Sequence, residues 1–166
     1  AYSLRERIVD SQISDLDVYG HDWDRKIFKY QPLRFFSRRV KIKYRRENWR
    51  GTPDNKFAVG SRYRFQLAIE NTVGFEGYVT EKIFDCMKAG SIPIYLGPKN
   101  INDCVPSDTF ININDFSHWR NALDYAKNMP DKDAKAIQEN IKGFLTNLEN
   151  TDFGLRLFSN VLESAL

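Results

Sequence analysis

The sequence predicts an α/β fold built on parallel strands. Three observations carry that reading. Phe65, Leu67, Ala68 and Ile69 form a short apolar run that suits a buried strand. After a polar loop, Thr80 stands where a helix N-cap belongs, and Ile83, Phe84 and Met87 then recur on one helical face until Gly90 closes it. Ser91 to Leu96 is a second apolar run, with Ile92, Ile94, Tyr95 and Leu96, and Gly97-Pro98 breaks it. Strand, helix and strand with short joins make a βαβ unit, which implies parallel pairing and a right-handed crossover.

The remaining elements follow in chain order. Tyr2 to Ile13 is expected to be helical, because Leu4, Ile8 and Val9 fall at helical spacing. Asp17-Val18-Tyr19 reads as a short strand entering Gly20. Residues 24–50 read as a basic insertion or edge segment. Arg34, Arg38, Arg39, Lys41, Lys43, Arg45, Arg46 and Arg50 face a single acid, Glu47, and Val40, Ile42 and Tyr44 alternate with basic residues. That period of two fits an edge strand whose lysines block unwanted pairing. It equally fits a surface for an anionic partner: lipid head groups in a peripheral membrane contact, a nucleic acid, or an acidic glycan. A helix is expected from about Thr52 to Arg62. Beyond Pro98, Ile101 to Val105 suits a turn of helix and Thr109 to Ile113 a further strand. A helix opening at Asp115-Phe116-Ser117 carries Trp119, Leu123 and Ala126, and Pro130 is expected to end it. Residues 131–166 read as two C-terminal helices split near Asn150, with stripes Ile137, Ile141, Phe144, Leu145, Leu148 and Phe153, Leu157, Phe158, Val161, Leu162.

Composition bounds the function. A chain of 166 residues suits one domain, 1–166, with a substantial core. A net charge of +3 does not by itself make a nucleic-acid binder. No apolar run approaches the roughly 20 residues that span a bilayer. The chain begins Ala1-Tyr2, which suits a piece of a longer protein or a processed form. Cys86 and Cys104 match no zinc or multi-disulfide framework, leaving two free thiols or one bridge. His21 and His118 lack metal-ligand spacing and read as surface or loop residues.

In open α/β sheets, ligands bind beyond the carboxyl ends of the strands, where helix N-termini point. Glu70, Asn71, Tyr78, Thr80, Glu81 and Lys82 occupy that edge. A helix N-terminus offers spare N–H donors and partial positive charge, and Lys82 adds a full one, so the site suits an anion such as a diphosphate. A lysine in a first helical turn is mildly unfavourable unless an anion accompanies it. Rival motifs are missing. Gly74 and Gly77 have no third glycine to complete a dinucleotide fingerprint, and Gly97-Pro98-Lys99 lacks the N–H groups of a phosphate-cradling loop. No Ser-His-Asp set is apparent. Release of a diphosphate leaving group needs fixed donors and cations, and Lys82 with the helix amides can supply them. Glu81 can accept hydrogen bonds from ribose hydroxyls.

The stretch ENTVGFEGYVTEKIFDCMKAGSIPIYLGP closely resembles the signature of the α1,3/α1,4-fucosyltransferases, glycosyltransferase family 10. YVTEK matches completely, while Ile69 stands where phenylalanine is usual. Trp49-Arg50-Gly51 and Ser61-Arg62-Tyr63-Arg64-Phe65 resemble the lead into the family's central strand, and Thr109 to Phe116 a later family strand. The resemblance implies a three-layer Rossmann-like domain equivalent to the C-terminal half of a GT-B glycosyltransferase, binding GDP-fucose. It implies that Asn71 and Tyr78 contact the diphosphate or sugar. It also implies that Arg5, placed by its spacing to Tyr19-Gly20, contacts the phosphates; an exposed helix arginine is the other reading. Lys82 and Arg5 then stabilise the leaving group, no metal or cofactor is required, and stimulation by Mn or Mg stays open. The implied reaction is inverting transfer of L-fucose from GDP-β-L-fucose to a glycan acceptor, α1,3 to N-acetylglucosamine or glucose. The general base is expected from an N-terminal acceptor-binding domain, in cis or in trans, that this chain does not match. The compartment stays open: cytoplasm or membrane periphery in a prokaryote, Golgi lumen in a eukaryote. Two alternatives stand beside it, a catalytically silent nucleotide-sugar binding module and an anion-surface adaptor using residues 34–50.

Overall fold

The computed structural model describes residues 2–11, 13, 15–21, 23, 46–72 and 74–149. The alternating strand at Val40–Tyr44, the bases from Arg34 to Arg45 and the second C-terminal helix lie outside them. The chain divides into two compact units, one of Ser3–Asn55 and one of Lys56–Leu166 together with Ala1–Tyr2.

In the first unit, helix α1 spans Tyr2–Asp10 and buries Ile8 and Val9. It ends earlier than the expected Ile13 because Ser11 turns back, its hydroxyl donating to the Ile8 carbonyl at 2.6 Å. The expected strand at 17–19 reduces to one parallel bridge, Val18 to Trp49. Val18 N donates to Asn48 O and Arg50 N to Val18 O, each at 2.8 Å. Two members of the basic segment are internal ties. Arg46, 7% exposed, pairs with Asp10 at 2.8 Å and donates to the Trp23 carbonyl at 2.6 Å. Arg50 pairs with Asp17 at 2.7 Å. The idea that these bases face only Glu47 is thus corrected for Arg46 and Arg50: acids distant in sequence neutralise them.

The second unit opens with a short helix, α2 (Lys56–Gly60). The expected helix from Thr52 starts late because Pro53 disfavours a helical residue before it and Gly51 sits at φ +88°. Strand β1 (Phe65–Ile69), helix α3 (Glu81–Lys88) and strand β2 (Ile92–Leu96) then form the expected βαβ unit. β1 and β2 pair in parallel, from Phe65 with Ile92 to Ile69 with Leu96. Strand β3 (Ile111–Asn112) pairs in parallel with Ile94 and Tyr95, giving the order β1-β2-β3. β2 is central and buried throughout, as a strand covered on both faces should be.

Proline is normally excluded from such a position. Ile92 N donates to Arg64 O at 2.9 Å and Glu70 N to Leu96 O at 2.8 Å, so alternate residues of β2 serve β1 and Pro93 turns its nitrogen to the other flank. β3 begins pairing only at Ile94, so no ladder bond is lost.

α3 buries Ile83, Cys86 and Met87 against β1 and β2, while Phe84 is half-buried. Gly90, at φ +83°, closes α3: Gly90 N donates to Met87 O at 2.9 Å and Ser91 N to Cys86 O at 3.1 Å, the two bonds of a Schellman motif. β3 is shorter than the expected Thr109–Ile113. Thr109 ends a 3₁₀ turn by donating its hydroxyl to Pro106 O at 2.6 Å, and the Asn112 side chain accepts from Asn114 N at 3.1 Å to start the next turn.

Helix α4 (Trp119–Lys127) opens at His118, whose Nδ1 accepts from Arg120 N at 3.2 Å, and not at Asp115, which belongs to that turn. Pro130 does not end α4. It precedes α5 (Asp131–Glu149), whose Asp133 and Ala134 amides donate to the Pro130 carbonyl, the tolerated N-terminal place for proline. Arg64 ties the α4–α5 junction to β1 through Asp131 at 2.9 Å and the Met129 and Pro130 carbonyls. α5 buries Ala134 and Ile141, with the rest of its apolar stripe half-buried. No described helix is long and apolar enough to cross a membrane.

Two glycines should respond oppositely to alanine. A Cβ on Gly97 would overlap the Tyr95 hydroxyl, so Gly97→Ala should destabilise by about 1–3 kcal/mol. Gly143 lies inside α5 with open space around it, so Gly143→Ala should stabilise by about 0.5–1 kcal/mol. Urea midpoints of the two variants check both signs.

Candidate functional site

The carboxyl ends of β1 and β2 meet at Glu70 and Gly97. Strand alternation carries the Glu70 side chain inside, where it is 0% exposed. Its Oε1 accepts from Thr80 N at 2.9 Å and from the Tyr95 hydroxyl at 3.2 Å. Its Oε2 accepts from the Thr80 hydroxyl at 2.7 Å and from Lys82 Nζ at 3.2 Å. The Lys82 ammonium also donates to Thr80 Oγ1 at 2.9 Å and lies 3.6 Å from Glu81 Oε1. Lys82 is 24% exposed and Glu81 62%.

This geometry corrects two expectations. Thr80 occupies the N-cap position but its side chain caps nothing. Its hydroxyl donates to Glu70, ten residues earlier, and its oxygen accepts from the Lys82 ammonium, a charged donor that takes the place of a first-turn amide. Among the described residues, the Thr80 side chain thus leaves the first-turn amides of α3 uncapped. Glu70 was expected among the ligand-contacting residues. It lies beneath the surface with both oxygens engaged, which makes it a support for Lys82 and Thr80.

The loop between β1 and α3 is held from the end of β2. Asn100 Oδ1 accepts from Gly77 N at 3.0 Å, and Gly77 adopts φ +75°. Asn71 is exposed and Tyr78 half-buried on this loop. The structure thus gathers Glu70, Thr80, Glu81 and Lys82 into one cluster, with Asn71 and Tyr78 on the adjoining loop. Arg5 is half-buried on α1, in the Ser3–Asn55 unit. Tyr95 and Asn100 escaped the motif reading. Tyr95 did carry a signal: a polar-tipped aromatic in an otherwise aliphatic strand needs a partner for its hydroxyl when buried.

Cys86 and Cys104 are free thiols. Burial, with Asp85 adding to it, pushes the Cys86 thiol up from 9.0 to about 12. Burial and then Asp103 raise Cys104. Burial first, and Glu70 second, raise Tyr95, so its phenol stays protonated and donates. Among the described residues no group of three or more His, Cys, Asp or Glu is placed to hold a metal ion.

Lys82 thus stands at the N-terminus of α3 on the carboxyl edge of a parallel sheet, the edge where ligands bind in open α/β folds. Residues 13–139 match the model described as glycosyltransferase family 10 (fucosyltransferase) C-term, and the chain belongs to that family. It is 41% identical over 78 residues to an α-(1,4)-fucosyltransferase of Arabidopsis thaliana, covering 47% of this chain and 19% of the relative. It is 42% identical over 73 residues to an α-(1,3)-fucosyltransferase of Helicobacter pylori, covering 44% and 15%. The chain thus spans less than a fifth of the length of these curated relatives. A crystal structure of an α1,3-fucosyltransferase with GDP-fucose matches at TM-score 0.50 and 32% identity, over 55% of this chain and 30% of that one. The α/β fold and the parallel sheet expected of a GT-B donor half hold.

The titrating groups set a pH response. Cys86 and Tyr95 hold their protons more tightly folded than unfolded; the Cys86 contribution is intact below about pH 9 and is lost as pH rises toward 12, and the Tyr95 contribution begins to fall only above about pH 10. The urea midpoint should therefore fall between about pH 8 and about pH 10.5, and fall less in Cys86→Ala.

Proposed function

We propose that this chain is the donor-binding half of an inverting fucosyltransferase, which transfers L-fucose from GDP-β-L-fucose to a glycan hydroxyl. The observation that carries the reading is the Lys82 ammonium, held at the uncapped N-terminus of α3. An ammonium has three protons. Two go to Glu70 Oε2 and Thr80 Oγ1; the third makes no hydrogen bond among the described residues, with Glu81 Oε1 at 3.6 Å its nearest acid, and it and the first-turn amides are offered to the diphosphate. Crystal structures of an α1,3-fucosyltransferase with GDP and with GDP-fucose, both similar to this chain, support the choice of donor.

In the reaction the acceptor oxygen attacks C1 of fucose while a general base takes its proton. The C1–O bond to the β-phosphate breaks and GDP departs with the bonding pair. Lys82 and the α3 amides stabilise the charge that develops on the β-phosphate. Glu81 takes the ribose hydroxyls, and Asn71 and Tyr78 the diphosphate or sugar. The base belongs to an N-terminal acceptor-binding domain, in cis or in trans. The acceptor is a glycan fucosylated at an α1,3 linkage, on N-acetylglucosamine or glucose. The step as drawn requires no metal ion, and stimulation by Mn or Mg stays open.

Titration calorimetry with GDP tests the donor site. Charge-assisted hydrogen bonds are worth about 1.5–3 kcal/mol, so Lys82→Ala should weaken GDP binding roughly 10- to 100-fold. Equal affinity for both proteins would overturn the assignment. Turnover with GDP-fucose tests the rest: the chain alone should transfer no fucose, and robust transfer would place the base within it.

A further inference from the structure

The Tyr95 hydroxyl is a buried polar group that the reaction itself does not use. Tyr95 is 0% exposed, and its hydroxyl lies 3.2 Å from Glu70 Oε1. The ring is fixed independently of that bond: it meets Phe110 edge-on at 5.8 Å and 84°. Gly97, two residues on, lacks the Cβ that would overlap the hydroxyl. The chain therefore leaves room for the phenol to reach across the end of β2 to the last residue of the β1 edge.

We propose that Tyr95 is a positioning residue of the donor site: its hydroxyl holds the Glu70 carboxylate, and through it sets where the Lys82 ammonium stands. The proposal rests on the reading of Lys82 as the diphosphate ligand. Each Glu70 oxygen has two donors. Thr80 gives one to each oxygen from a fixed backbone position, through its amide and its hydroxyl. The remaining two are unequal. Tyr95 is anchored by packing, whereas Lys82 is a long, partly exposed side chain free to move. Remove the phenol and Oε1 keeps one donor inside a fully buried carboxylate, a costly shortfall. Lys82 is the donor near enough and mobile enough to make it good. Its ammonium then bridges both oxygens and withdraws from the surface where a phosphate would meet it.

Tyr95→Phe keeps the ring and deletes only the hydroxyl. The experiment is GDP titration of the parent chain, Tyr95→Phe, Lys82→Ala and the double variant, with melting curves to follow the fold separately. Tyr95→Phe should weaken GDP binding about three- to tenfold, a fraction of what one hydrogen bond to a charged group is worth. In the Lys82→Ala background the same change should have no further effect, since Tyr95 acts through the ammonium. A merely structural role would repeat its loss in both backgrounds, and that result overturns the proposal. So does parent-like GDP binding by Tyr95→Phe when Lys82→Ala has lost it. Parent-like binding by Lys82→Ala overturns the donor-site reading itself, and this proposal with it. Gly97→Ala gives a second route, because it keeps the tyrosine and displaces its hydroxyl. It should lower GDP affinity in the same direction, and unchanged affinity counts against the relay.

Discussion

A fully buried carboxylate is among the costliest groups a fold can enclose, and Glu70 is one. The end of the central unit is arranged around satisfying it. Donors converge from the N-terminus of α3, from the Lys82 side chain and from the far end of β2. These elements are distant in sequence, and a single charge fixes their mutual geometry. The exposed parts of the site, Lys82 and the first turn of α3, sit on that foundation. Breaking a buried ion pair by removing one member typically costs several kcal/mol, so this cluster holds the sheet edge together as well as shaping the site.

The elements legible in the sequence are those where local signal and tertiary burial agree. β1 begins and ends where its apolar run does, and Gly90 closes α3 because a left-handed residue is needed there. β3 and the ends of α1, α2 and α4 were read less well, because single side chains decided them. Asn112 and His118 each accept a backbone amide and so reset where a turn or helix begins. Pro130 marks a boundary in the sequence without saying of which helix, since proline fits the start of α5 as readily as it would end α4.

The site was legible by residue type and less so by role. Thr80, Lys82 and Glu81 stand where the spacing put them. The partners of Thr80 and Glu70 were hidden because they lie across the sheet edge, at a range periodicity does not see. Arg46 and Arg50 make the same point: a run of bases reads as a charged surface until the acids that neutralise these two, Asp10 and Asp17, are located. The family match spans residues 13–139, a range that includes the βαβ block the bare pattern picks out. The roles of Tyr95 and Asn100 emerge only from the packing.

The Glu70–Lys82 pairing also bears on how a ligand arrives. The one ammonium of the cluster already has a carboxylate against it, and Glu81 places a second carboxylate 3.6 Å from the same nitrogen. Seen from several ångströms out, these three side chains present no positive field. Attraction for a phosphate arises only at contact range, from the third ammonium proton and the open amides. For the proposed nucleotide, long-range steering toward this edge would then have to come from charges elsewhere, and the cluster would govern how long it stays more than how fast it is found.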